Sequence, residues 1–133
     1  MKNIFAIGDK KEYNHIAQQN DVAAFHSEII HEVYATFALA RDIEWTTRQF
    51  ALDMLDDNEE GIGTFLSIDH KSPAFVGEEI NFSAVVHEII GHELICLYEA
   101  KVGDRIIATG KTGQKILKKA KISKLFSRVI NSK

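Results

Sequence analysis

The chain has 133 residues, 45% apolar and 26% charged, which suits one ordinary globular domain. It has no run of 18 apolar residues, so no membrane-spanning helix is expected. Its first residues, MKNIFAIGDKKEYN, lack the apolar core of a signal peptide. The net charge of −3 conceals +8 over residues 111–133 and −11 over the rest, and so acidic a body argues against general nucleic-acid binding. A single cysteine, Cys96, excludes an internal disulfide and suits a reducing cytoplasm.

Residues 10–17 (KKEYNHIA) alternate weakly and are expected to form a short strand. Asn20-Asp21 reads as a helix N-cap before VAAFHSEII, predicting a short helical or looped piece that ends before His31. The best-marked element is a central helix from about Thr36 to Leu55. At about 100° per residue, Leu39, Phe50, Ile43, Met54, Thr47, Ala40, Ala51, Glu44, Phe37 and Leu55 fall within one arc of roughly 160°. Arg41, Asp42, Arg48, Gln49 and Asp53 lie opposite, together with Trp45 and Leu52. The acidic turn DDNEEGIG ends the helix.

Beyond it the period changes. Residues 62–70, 79–90, 92–102 and 104–117 are rich in β-branched and aromatic residues and are expected to be strands. Pro73 sits between two of them, where a missing N–H does no harm. Gly91 and Gly103 fit tight hairpin turns, so the last three strands form an antiparallel meander. One long helix followed by a meander buries its apolar face most economically when the sheet wraps around it. The expected class is α+β, with one domain over residues 1–117. Residues 118–133 are expected to be a basic amphipathic tail, because Ile122, Leu125, Phe126, Val129 and Ile130 recur at helical spacing.

Three residues stand out chemically. Glu44 is a lone carboxylate inside the apolar arc; removal from water would raise its pKa and suit it to acid–base work. Thr36 lies about 80° from it, two turns earlier. Its hydroxyl suits either an N-cap or a substrate contact. His70 ends a strand before a loop, where an imidazole can face a cleft and titrate near neutral pH. Other patterns fail on spacing or context. His87-Glu88-Ile89-Ile90-Gly91-His92 has one residue more than the zinc motif H-E-x-x-H and falls on an expected hairpin. His26 and His31 lack a third ligand. Gly61-Ile62-Gly63 lacks the lysine of a phosphate loop, Cys96 sits mid-strand as a packing residue, and there is no G-x-S-x-G elbow.

The segment Val33 to Trp45, with Thr36, then Glu44 eight residues on, then Trp45, resembles the central helix of the fluoroacetyl-CoA thioesterase family. Gly63-Thr64 followed by Asp69-His70 resembles that family's next strand. The Pro73-to-Gly77 loop and Gly110 continue the likeness, which spans about residues 5–117. The resemblance implies a hot-dog fold, with an antiparallel sheet around one long helix, and a cytoplasmic homodimer or higher oligomer. It implies hydrolysis of a small acyl-CoA thioester without metal or cofactor. Thr36, Glu44 and His70 would be catalytic, with Glu44 as nucleophile or base, and Gly63 and Thr64 would bind substrate. Acyl-CoA is then the expected partner, with no nucleic acid and no integral membrane association. The family's fluoroacetyl selectivity goes with an aromatic lid before the threonine, and Ser27-Glu28-Ile29-Ile30-His31 carries no aromatic residue there. Fluoroacetyl specificity is therefore not carried over. Two other functions fit the same fold class: a non-catalytic acyl-CoA or ligand-binding module, and an enoyl-CoA hydratase. The hydratase would show an Asp…His pair in a longer segment, which Gly8-Asp9 and Asp69-His70 do not form. The basic tail has three readings: a helix docked on the acidic body, contact with CoA phosphate through Lys111, Lys115, Lys118 or Lys119, and binding to a membrane surface.

Overall fold

From Glu79 to Val86 every second side chain is buried, with Ile80, Phe82, Ala84 and Val86 turned to one face. This strand, β6 (Glu79–Ile90), pairs antiparallel with β7 (Glu93–Val102), and β7 pairs with β8 (Arg105–Lys118). Gly91 and Gly103 make the two turns at φ 58°, a conformation that costs glycine nothing. The expected meander is present. A computed structural model, which describes residues 1–25 and 28–132, completes the sheet. β1 (Lys10–Ile16) pairs with β6, while β4 (Glu59–Leu66) and β5 (Asp69–His70) both pair with β8. The order is β1-β6-β7-β8-β4, antiparallel throughout.

Helix α1 (Thr36–Met54) lies against this sheet. Leu39, Ile43, Phe50 and Met54 join Ile80, Phe82, Val86, Leu94, Ile107 and Ile116 in one core. Ala84, Ala100 and Ala108 lie in the same core, and their small side chains let the helix approach the sheet closely. Phe5, from the chain before β1, meets Phe50 edge to face at 5.0 Å. The sheet curled around a long helix is the expected α+β hot-dog arrangement.

The structure corrects three expectations. Among the described residues, the stretch after Asp21 is not the short helical or looped piece expected to end before His31. After a short 3-10 turn (Gln19–Asp21), β2 (Val22–Phe25) and β3 (Glu28–Tyr34) pair as a separate two-stranded antiparallel sheet. Asp21 does cap locally, accepting from the Gln18 N–H, but Val22 then pairs with Tyr34 instead of entering a helix. His26 and Ser27, and with Ser27 the first of the aligned lid positions, lie outside the described residues. The strand expected at 62–70 is two strands, β4 starting three residues earlier and β5 following a break at Ser67-Ile68. Finally, the buried arc of α1 is turned by roughly 50–70° from the sequence reading, taking 100° per residue. Asp42 is buried on the side read as solvent-facing, Thr46 is buried just outside the expected arc, and Phe37 and Glu44, inside that arc, are exposed. The cause is the coverage: β1 and the 3-10 turn close over the Asp42 side, a contribution no helical wheel contains.

The last helix, α2 (Lys119–Asn131), follows β8 directly, with the Lys119 N–H donating to the Asn58 carbonyl. Ile122 is its only buried residue.

The core implies a contrast between two substitutions. Phe50→Ala, which removes a fully buried ring, should cost about 3–5 kcal/mol. Gly8→Ala, where an added Cβ meets nothing within 4 Å, creates no clash, though its φ of +97° adds backbone strain. Urea unfolding of both variants should show the larger loss for Phe50→Ala.

Candidate active site

His70 owes its position to a break in the sheet. At Gly110 strand β8 carries no side chain; a Cβ there would stand 2.1 Å from the Ser67 carbonyl oxygen and 2.7 Å from the Tyr98 hydroxyl. Into that space comes Ser67. Its carbonyl accepts from Tyr98 Oη at 2.6 Å, its N–H donates to the Lys111 carbonyl, and its Oγ accepts from the Lys111 N–H. Chain direction is reset there, and Asp69–His70 re-pairs with Ala108–Thr109 as β5. The following loop is tied down at both ends: the Lys71 N–H donates to the Ile107 carbonyl, and the Ala74 carbonyl accepts from the Tyr34 N–H.

That last bond carries the loop to the start of α1. The N-cap residue is Ala35, which has no side chain to offer, so Thr36 is the first helical residue and not the cap. Its hydroxyl is free for another partner, and Thr36 Oγ1 and His70 Nδ1 are hydrogen-bonded at 3.2 Å. Which atom donates depends on the imidazole tautomer. Both residues are exposed.

Glu44 is exposed and is not buried among apolar residues, so the argument from removal from water does not hold for the single chain. It lies instead on an open cleft of about 320 Å³ between α1 and the β4 edge, shared with Thr47, Arg48, Gly63, Thr64 and Phe65. Gly63 and Thr64 thus lie on the same cleft as Glu44. The Thr64 side chain is engaged, however: its hydroxyl donates to Glu93 Oε2 at 2.8 Å. Strand β4 has a register shift between Gly63 and Phe65, with Thr64 at the irregularity. The shift is packed tightly: a Cβ on Gly113 would stand 2.4 Å from the Phe65 ring. The structure therefore forms two groups, Thr36 with His70 and Glu44 with Gly63 and Thr64. They are separated along α1 by eight residues, about 12 Å of helix.

With this geometry in hand, the chain can be compared with known proteins. The family model for FlK, fluoroacetyl-CoA-specific thioesterase, matches residues 17–120. The chain belongs to this FlK thioesterase family. It is therefore a thioester hydrolase, of acyl-CoA type. Membership sets aside the binding-module and hydratase alternatives. A Thermus thermophilus hypothetical protein, a thioesterase superfamily member, is 26% identical and superposes with a TM-score of 0.90, over 98% of this chain and 96% of that one. The fluoroacetyl-CoA thioesterase FlK is 16% identical with a TM-score of 0.85, over 95% of this chain and 98% of its own. A hot-dog-like protein from Thermanaerovibrio acidaminovorans is 17% identical with a TM-score of 0.85, over 93% of each chain. No curated protein matches the chain by sequence.

In this FlK-family chain the buried carboxylate on α1 is Asp42, which the sequence reading placed on the solvent side. It accepts from the Tyr34 hydroxyl and from Arg41 Nη2 at 2.9 Å. Arg41 also donates to Asp21 Oδ1 at 3.1 Å, and Asp21 Oδ2 meets His15 Nε2 at 2.7 Å. The Tyr34 hydroxyl lies close to the Ala38 carbonyl as well, so these residues bind β1, the 3-10 turn and β3 to the first turns of α1. Burial, reinforced by Asp42, pushes the Tyr34 phenol up and keeps it neutral. Burial also pushes the Asp21 carboxyl up, but its bonds from His15, the Gln18 N–H and Arg41 outweigh this and hold it below the ordinary aspartate range. Helical periodicity gives no sign that Asp42 is buried, because Tyr34 lies on β3 and His15, which approaches it to 3.9 Å, lies on β1. His87 and His92 fall on the β6–β7 hairpin, where the sequence pattern put them, and Cys96 is fully buried. Burial pushes its thiol up to about 12, which removes it as a nucleophile.

Two measurements follow. Asp21 has a lowered folded-state pKa, so its contribution to stability is complete above the unfolded value and is lost as pH falls through the folded one. Urea midpoints should fall from neutral pH into the range below ordinary aspartate titration, and Asp21→Asn should flatten that fall while lowering the neutral midpoint. Cys96 should resist thiol labelling in the native protein and react once the chain is unfolded. Equal rates in the two states would contradict its burial.

Proposed function

We propose that this acyl-CoA thioesterase acts on small acyl groups, without metal, through Thr36, Glu44 and His70. The observation that carries the proposal is the 3.2 Å contact between Thr36 Oγ1 and His70 Nδ1. It joins a residue from the start of α1 to one 34 positions later, and it fixes the ring so that Nε2 is left for a reacting group. Hydrolysis forms a C–O bond at the thioester carbonyl and breaks the C–S bond. Glu44 either takes the proton of the attacking water, or attacks the carbonyl itself to form an acyl–Glu44 anhydride that water then cleaves, releasing the acid and restoring the carboxylate. His70 passes a proton to the departing CoA sulfur, and Thr36 orients the imidazole. Gly63 supplies its backbone N–H to the carbonyl oxygen as negative charge develops there.

The proposal includes a homodimer. Strand β4 closes the sheet order on one side and carries the half-exposed Phe65 beside the Glu44 cleft. An open strand edge of this kind is a ready surface for a second chain. Two copies meeting there would bring the Glu44–Gly63 group of one toward the Thr36–His70 group of the other, bridging the roughly 12 Å that separates them along one helix. A variant of FlK has been crystallised with fluoroacetate and CoA. The lid residues give no reason to make fluoroacetyl-CoA the substrate here, and a short unsubstituted acyl chain is the better candidate.

Turnover of a panel of acyl-CoAs, followed by thiol release, tests the assignment. Glu44→Ala and His70→Ala should each lower kcat by about 10²–10⁴ while leaving the unfolding midpoint near that of the parent. Thr36→Ala should cost less and shift the pH profile, since it acts through His70. Undiminished turnover in both Glu44→Ala and His70→Ala would remove the site from this place.

A further inference from the structure

We infer that α2 is a surface anchor that lays the protein on anionic phospholipid. Among the described residues the helix is held to the body at its N-terminal end, by the Lys119–Asn58 backbone bond and by Ile122, which is 8% exposed. Past Leu125, which is still partly covered, the apolar side is open: Phe126 is 56% exposed, Val129 59% and Ile130 67%. At 100° per residue these four and Ile122 span an arc of about 140°. Lys121, Lys124 and Arg128 lie on the other side, and α2 contains no acidic residue.

The charge decides between the candidate occupants. The acidic body of the same chain could have received α2, yet the apolar side is not laid upon it. Two α2 helices set face to face would cover the apolar arcs but leave Lys121, Lys124 and Arg128 turned outward with no acid on the partner helix to meet them, so a second copy answers only one of the two features of α2. An anionic bilayer offers both requirements in one surface: acyl chains for the apolar arc and phosphate for the cations. Lys121 and Arg128 lie about 110–130° from the centre of that arc, and their long stems reach the headgroup level when the arc is buried. The helix is about 20 Å long, whereas charges are screened within about 8 Å at physiological salt. Its outer turns are therefore shielded from the repulsion between the acidic body and the lipid. No helix among the described residues is long and apolar enough to cross a membrane, so the attachment is peripheral.

The full chain should co-sediment with vesicles of equal parts phosphatidylcholine and phosphatidylglycerol, and not with phosphatidylcholine alone. Raised salt should weaken the binding. The double variants Phe126→Ser/Ile130→Ser and Lys124→Glu/Arg128→Glu should each weaken it at least tenfold. Both should keep the parent's acyl-CoA turnover and unfolding midpoint, since neither touches the proposed site or the core. Absence of binding to the anionic vesicles overturns the inference, as does equal binding to the neutral ones. A third result also overturns it: the Phe126→Ser/Ile130→Ser variant loses self-association by light scattering while its lipid binding is unaltered. That result would make a second copy the occupant.

Discussion

One missing side chain governs the layout of the site. Because residue 110 is glycine, the Ser67 carbonyl can sit against β8 and accept the Tyr98 hydroxyl at 2.6 Å. Any larger residue would place an atom 2.1 Å from that carbonyl oxygen. The chain would then have no room to leave β4, cross at Ser67 and rejoin β8 as β5. His70 is delivered by that second pairing, and the loop after it carries Ala74 to the Tyr34 N–H at the entrance to α1. The contact between His70 and Thr36 thus rests on a packing constraint at a residue that touches neither of them.

A second constraint acts on the other flank of the helix. Tyr34, Asp42, Arg41, Asp21 and His15 join β1, the 3-10 turn and β3 to α1 through charged and neutral hydrogen bonds. Networks of this sort contribute little net energy compared with an apolar core of equal volume, but removing one member leaves the others unpaired. Their clearest effect is directional. They fix how α1 is rotated against the sheet, and the rotation puts Glu44 on the open cleft and Asp42 inside.

The parts of the fold legible in the sequence are those with a local cause. Alternation along Glu79–Ile90, turn glycines at 91 and 103, and the apolar periodicity of α1 each arise within a few residues, and each element is found where its pattern placed it. What was not legible depended on partners distant in sequence. The stretch that follows Asp21 reads as a helical or looped piece because Asp21 is a good capping residue, and only the pairing of β2 with β3, Val22 with Tyr34 included, decides otherwise. Glu44 was singled out for a burial it does not have. Its place beside Gly63 was legible only through spacing shared with a family, not through its own surroundings. Asp42 was passed over for the opposite reason: a charged residue next to Arg41 reads as surface until the strand that covers it is known.

The start of α1 has one consequence for how this enzyme can change. Ala35 offers no capping oxygen, and the Thr36 hydroxyl is turned to His70, so no side chain serves the first turn of the helix. A serine, threonine, asparagine or aspartate at a helix N-cap is worth about 1 kcal/mol, and the chain forgoes it. Stability gained at residue 35 would introduce a competing hydroxyl or carboxylate within one residue of the Thr36–His70 contact. Thermal robustness and placement of the imidazole are therefore set by the same short stretch of chain, which limits how far either can be improved alone.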